Sequence, residues 1–169
     1  LRRLIRWCVD YRLVEADPSH AYKLPRRVDP EVEIFSADEL ERILGDPDPN
    51  AGDIWLVLSR TGMRCQELCW LTKADVDLQD RVIRIRRKRC PLTGERWQPK
   101  HDHERDIPYR DEEVHAALKR QLERSPGPWV FWTGDDWRGN GGRWRGPRLL
   151  NRLKRQLGHA GVDHGKLHT

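Results

Sequence analysis

The spacing of apolar positions changes along the chain, and each change marks an element. Leu4, Ile5, Cys8 and Val9 recur at helical spacing between Leu1 and Leu13, with Arg2, Arg3 and Arg6 largely off that stripe. Ala16-Asp17-Pro18 stops this helix, and residues 19–33, with Pro25, Arg26, Arg27 and Pro30, read as a linker. Ser36-Ala37-Asp38-Glu39 is a capping box, so a helix is predicted from there to about Leu44. Asp46-Pro47-Asp48-Pro49-Asn50 ends it. The next helix covers about Gly52 to Arg60. Gly62 suits the left-handed position that closes a helix, and another helix runs from Arg64 to about Thr72.

The period then shortens. Val82 to Arg86 is β-branched and partly alternating, which predicts a strand after the turn Asp75 to Arg81. Residues 86–101 read as an irregular hairpin connection, with Pro91, Gly94 and Pro99. Arg105-Asp106-Ile107-Pro108-Tyr109 reads as the closing strand. A helix from Asp111 to Arg124 follows, acidic at its start and basic near its end as the helix dipole favours. Ser125-Pro126-Gly127-Pro128 breaks it, Trp129 to Thr133 is a short strand or core segment, and Gly134 to Gly146 a loop. Leu149, Leu150, Leu153 and Leu157 mark a last amphipathic helix, closed by Gly158 or Gly161. The pattern therefore predicts a mainly α chain with a small antiparallel β-sheet.

Composition narrows the partners. The 169 residues suffice for one domain and a piece of another. No run of 18 apolar residues offers a membrane span. The net charge of +5 favours a polyanion, and its location says more than its size. Arg84 to Arg105 carries eight Lys/Arg against three acids, and Trp137 to Arg155 carries seven against none. Such stretches suit a phosphate backbone, although a solvated helix face and loop read the same way. On this basis Arg86, Arg87, Arg105, Arg143, Arg145, Arg148 and Arg152 are the candidate DNA contacts. Cys8, Cys65, Cys69 and Cys90 form no CxxC pair and read as reduced thiols of a cytosolic protein. Of the eight tryptophans, Trp55 and Trp70 read as core. Trp97, Trp129, Trp132, Trp137 and Trp144 suit either anchoring or stacking on bases.

The block Thr61-Gly62-Met63-Arg64-Cys65-Gln66-Glu67-Leu68 carries the chemistry. A forced turn fixes Arg64 at a helix start, with Glu67 three residues on and on the same face. An arginine so placed is suited to holding a phosphate, and a plain helix corner with a surface arginine is the other reading. The block resembles the first catalytic motif of tyrosine recombinases of the phage-integrase family, Thr-Gly-x-Arg-x-x-Glu-Leu. Lys100 lies five residues before Arg105 of Arg-Asp-Ile-Pro-Tyr, where the family carries its hairpin lysine ahead of Arg-x-Val-Pro-Leu. An exposed turn lysine would look the same. His101 and His103 flank Asp102 and could serve a metal or simply face solvent or phosphate. Near the end, Gly161-Val162 precedes two histidines. The family's His-x-x-Arg starts at His168 on the spacing from Gly161, or at His164 with Leu167 in the arginine's place.

The resemblance implies the recombinase catalytic fold over 33–169, mainly helical with a small antiparallel sheet. Residues 1–32 would be the last helix of a core-binding domain and the interdomain linker. It implies site-specific DNA cleavage and rejoining through a 3′-phosphotyrosine, with no cofactor and no metal. Arg64 would clamp the scissile phosphate, Lys100 protonate the leaving oxygen, and His168 assist proton transfer, with Glu67 in support. The partners would be double-stranded DNA and further copies in a tetrameric synapse, not a membrane. The location would be cytoplasmic, with the nucleoid. With His168 first, the chain would stop inside its second catalytic motif, and Tyr11, Tyr22 and Tyr109 do not occupy the nucleophile's place. A non-catalytic DNA-binding remnant, a metal-dependent nuclease using His101 and His103, and a plain helical interaction protein are the alternative functions.

Overall fold

The computed structural model describes residues 2–18, 34–134 and 141–165. The chain divides into two compact units, Leu1–Val32 and Glu33–Thr169. In the first, helix α1 spans Arg2–Asp10 and stops three residues short of the predicted end. Arg12 takes a left-handed φ of 54°, and the Leu13 N–H turns back to the Cys8 carbonyl at 2.8 Å. Leu4, Trp7, Tyr11 and Leu13 of this unit are exposed. The stretch read as a linker lies outside the described residues.

The second unit opens with α2, Ala37–Leu44, and both arms of its capping box are made. The Ser36 N–H donates to Glu39 at 2.8 Å, and the Glu39 N–H donates to Ser36 Oγ at 3.3 Å. Helix α3, Pro49–Thr61, starts earlier than the pattern predicts. The residues read as a breaker also nucleate: the Asp48 carboxylate accepts from the Asn50 N–H at 3.0 Å, and Pro49 occupies a first-turn position that needs no N–H. Gly62 ends α3 at φ 63°. Helix α4 is short, Cys65–Cys69, because Trp70 and Leu71 dive into the core and Thr72 pairs with Trp129 instead of continuing the helix.

Strands β1 (Val76–Asp77), β2 (Val82–Ile85) and β5 (Arg105–Pro108) form an antiparallel sheet in the order β1-β2-β5, with Ile85 opposite Arg105. Ile83 and Ile85 point inward from β2. Between β2 and β5 the chain builds a second antiparallel ribbon, β3 (Lys88–Arg89) and β4 (Arg96–Trp97). The period-two signal is absent there because each strand is two residues long. Trp97 nevertheless anchors it, stacked on Trp70 with centroids 5.8 Å apart. Helix α5, Glu112–Arg124, is capped by Asp111, which accepts from the Glu113 and Val114 N–H groups. Helix α6 spans Gly146–His159.

The core joins Ile54 and Val57 of α3, Leu68 of α4, Ile83 of β2, Val114 and Leu118 of α5, Leu149 of α6, and Phe131 from the segment between α5 and α6. Each such side chain contributes about 1.5–3 kcal/mol by leaving water. Helix α3 packs on α5, α2 on α3, and α4 on α6. The last approach is close: a Cβ at Gly146 would lie 2.4 Å from Gln66 Nε2. Asp53 of α3 is buried against α5, where Arg120 and Gln121 donate to it. The unit is mainly α with small antiparallel sheets.

Candidate active site

The site is built around one carboxylate. Thr61 hydroxyl donates to the Val57 carbonyl at 2.6 Å and accepts from the Met63 N–H at 3.3 Å, while the Met63 side chain is buried. These contacts and the Gly62 turn deliver Arg64 to the cap of α4. Glu67, at the third helical position, accepts the Arg64 backbone N–H at 2.8 Å on Oε2 and Arg64 Nη1 at 3.0 Å on Oε1. Arg105 reaches across from β5 and donates Nη1 to Oε1 and Nη2 to Oε2, both at 2.7 Å. The Glu67 side chain is 1% exposed, while Arg64 is 46% exposed. Burial pushes the Glu67 carboxyl up, and the hydrogen bonds from Arg105 and Arg64 outweigh it, leaving the carboxyl below its usual range. Arg64 Nε and Nη2 have no partner among the described residues.

Lys100 opens a single turn of 3-10 helix, Lys100–Asp102, after the buried Pro99. His101 and Asp102 are both left-handed, at φ 59° and 57°. Arg87 holds the turn, donating to Asp102 at 2.9 Å and to Glu104 at 3.2 Å. The Lys100 ammonium is exposed and has no partner among the described residues. His101 and His103 are exposed on the same turn, and among the described residues no three His, Cys, Asp or Glu side chains are grouped to hold a metal.

Residues 33–168 match the model of the phage integrase family. The chain belongs to this family of tyrosine recombinases. Its fold matches the Tn1549 transposon integrase, solved with transposon right end DNA, at a TM-score of 0.72 and 23% identity, over 95% of this chain and 56% of that one. It matches the XerA recombinase at 0.63 and 22%, over 96% and 55%. A lambda integrase dimer bound to a COC′ core site matches at 0.68 and 14%, over 96% and 57%. The chain thus spans little more than half the length of these proteins. No curated protein matches it.

Within this member of the family the remaining candidate residues fall into three environments. Arg145 and Arg148 are exposed at the start of α6. Arg86 and Arg87 lie beside the sheet, Arg86 paired with Asp106 and donating to the Arg105 carbonyl at 2.9 Å. Arg105, Arg143 and Arg152 are each paired with a carboxylate of another part of the fold. Both terminal nitrogens of Arg105 are on Glu67. Arg152 bonds the buried Asp46 at 2.5 Å and lies 3.4 Å from Asp48. Arg143 is 5% exposed, lies 3.7 Å over the Trp70 ring, and donates to Glu95 at 2.9 Å. Burial depresses its guanidinium, with Glu95 opposing.

Other residues come into the picture from the ribbon. Arg87, Lys88, Arg89, Arg96, Trp97 and Gln98 line a groove of about 480 Å³. Lys88 at its base is paired with Asp75, and burial lowers its pKa. The basic run was visible in the sequence; the pairing that gathers it across two strands was not.

His164 sits 3.1 Å from Glu39 and beside the Phe35 ring. His168 lies outside the described residues. Tyr109 is buried, with its phenol pKa raised by that burial. Tyr11 is in the first unit, and Tyr22 lies outside the described residues. Cys65, Cys69 and Cys90 are buried and unbridged, and Cys8 is partly exposed and unbridged. Trp55, Trp70, Trp129 and Trp144 are buried, and Trp137 lies outside the described residues. No described helix is long and apolar enough to cross a membrane.

Proposed function

We propose that the protein acts in site-specific recombination, cutting and rejoining double-stranded DNA through a 3′-phosphotyrosine. The observation that carries this is Arg64. Its guanidinium is half exposed, pinned on one nitrogen by a buried carboxylate, and without a partner on the other two among the described residues. A fork held that way can take two non-bridging oxygens of a scissile phosphate and stabilise the charge that develops on them. Lys100, exposed and without a partner among the described residues, is the general acid to the leaving 5′-oxygen. His168 assists proton transfer, and Glu67 supports Arg64. No cofactor is needed, because the phosphotyrosine conserves the bond energy.

Arg86, Arg87, Arg145 and Arg148 meet the DNA backbone in this reading. The lambda integrase tetramer bound to a Holliday junction supports a tetrameric synapse for the intact protein. We place it in the cytoplasm, at the nucleoid. Residues 1–32 belong to the core-binding domain and linker, and the rest to the catalytic domain. Tyr109 is not the nucleophile in this reading, since it is buried and a nucleophile must lie about 3 Å from phosphorus in line with the leaving oxygen.

The test uses a DNA substrate with a bridging 5′-phosphorothiolate, whose leaving group needs no proton. In the intact integrase, Arg64→Ala loses on the order of 3 kcal/mol of transition-state stabilisation on either substrate. Lys100→Ala cleaves poorly on ordinary DNA and recovers on the sulfur substrate. Equal rescue of both variants, or of neither, means the roles are misassigned. On a denaturing gel the 169-residue chain forms no covalent adduct with nicked DNA; a protease-sensitive shifted band would place the nucleophile inside it.

A further inference from the structure

Glu67 is saturated. Oε1 accepts from Arg64 Nη1 and Arg105 Nη1, and Oε2 accepts from the Arg64 backbone N–H and Arg105 Nη2. A carboxylate offers about four lone-pair positions, and here each is filled. Arginine and carboxylate prefer to meet through two parallel N–H···O bonds. Arg105 has that two-bonded geometry with Glu67, and Arg64 has a single side-chain bond to it. Arg64 is the nearer residue in sequence, and it is already fixed by its own backbone on the same carboxylate.

We infer that Arg105 is a positioning residue which keeps Arg64 open: by holding one flank of Glu67 it prevents Arg64 from closing a two-bonded fork on that carboxylate. This rests on the assignment of Arg64 to the scissile phosphate and adds the device that keeps its donors available. A second consequence follows from topology. Arg105 begins β5, directly after the Lys100 turn, so the same ion pair ties the strand behind the lysine to the helix that carries Arg64. The arrangement is poor for a phosphate contact by Arg105 itself. Both of its terminal nitrogens face a carboxylate whose side chain is 1% exposed, and a phosphate would have to displace it.

The test is Arg105→Met, which keeps the aliphatic stem and removes the donors. A crystal structure of this variant of the 169-residue chain is expected to have Arg64 making two side-chain bonds to Glu67. An Arg64 that keeps one bond and an open fork overturns the inference, whatever the intact protein does on DNA. In the intact integrase, Arg105→Met lowers cleavage on the order of 100-fold, the effect of a displaced catalytic group. The salt dependence of DNA binding stays unchanged. Adding Glu67→Gln recovers on the order of tenfold of that loss, because a neutral amide no longer holds Arg64 closed. A double variant no better than Arg105→Met makes Arg105 a plain anchor of the strand. A salt slope smaller by about 0.9 makes it a phosphate contact. Either result ends the proposal. Should Arg105→Met fail to fold, Arg105→Lys keeps the charge and carries the same comparison with and without Glu67→Gln. Absence of cleavage by the unaltered integrase would count against the recombinase reading and leave the crystallographic result to decide this one.

Discussion

Arg64 and Arg143 are each paired with one glutamate, and they end in opposite situations. Arg64 caps α4, and its partner Glu67 lies three residues away and is buried, so the pair turns the guanidinium outward to 46% exposure. Arg143 reaches Glu95, 48 residues away, and its guanidinium lies flat on Trp70 with 5% exposure. In the first case the carboxylate is interior and the arginine is the exposed member. In the second the carboxylate is exposed and the arginine is interior. The pairing alone says little about which arginine can reach a ligand; the burial of the partner decides it.

The comparison breaks most visibly at Arg143. Arg143→Ala removes a desolvated cation–π contact and leaves a void beside Trp70 and Trp129, for a loss on the order of 3 kcal/mol in chemical denaturation. Its effect on the salt dependence of DNA binding is nil. A stable Arg143→Ala protein with a reduced salt slope would reverse the roles given to the two arginines.

The next effect is on pH. Glu67 has a folded-state pKa below its usual value, because its hydrogen bonds from Arg105 and Arg64 outweigh burial. Its stabilising contribution is therefore complete above the ordinary glutamate range of about 4.3 and is lost as pH falls through the lower folded value. Stability measured from pH 6 downward should decline through that window, and Glu67→Gln should flatten the decline. An unchanged acid limb in Glu67→Gln would mean that the carboxylate is not held as described.

Smaller effects sharpen the contrast. Arg148→Ala, at the exposed start of α6, should reduce the salt slope of duplex binding by about 0.9 and leave stability within about 0.5 kcal/mol. An unaltered slope removes Arg148 from the interface. Gly62→Ala should cost about 1 kcal/mol through its left-handed backbone alone, since a Cβ there meets nothing within 4 Å. A much larger loss in thermal melting would point to a packing role for that turn.

Local features were legible in the sequence where cause and effect lie within a few residues. The Ser36–Glu39 capping box, the Gly62 helix end and the Arg64–Glu67 spacing each act through backbone geometry over three or four positions, and each is made as the pattern predicts. The breaker 46–50 was half legible. Prolines mark a boundary, and Asp48 with Pro49 also starts α3, which a breaker count does not register. The β3–β4 ribbon was not legible, because two-residue strands carry no alternation.

Helix boundaries near caps, the family motif and the surplus of basic residues follow from the order of residues along the chain. Tertiary structure alone decided what those basic residues do. Trp137 to Arg155 contains no acid, yet Arg143 finds Glu95 and Arg152 finds Asp46 from elements far away in the chain. Arg105, set among its own local charges, is drawn instead to Glu67 across the fold. A buried charge, the carboxylate of Glu67 or Asp46 or the guanidinium of Arg143, takes whichever opposite charge the packing brings within about 3 Å, since leaving it unpaired in a low-dielectric interior costs several kcal/mol.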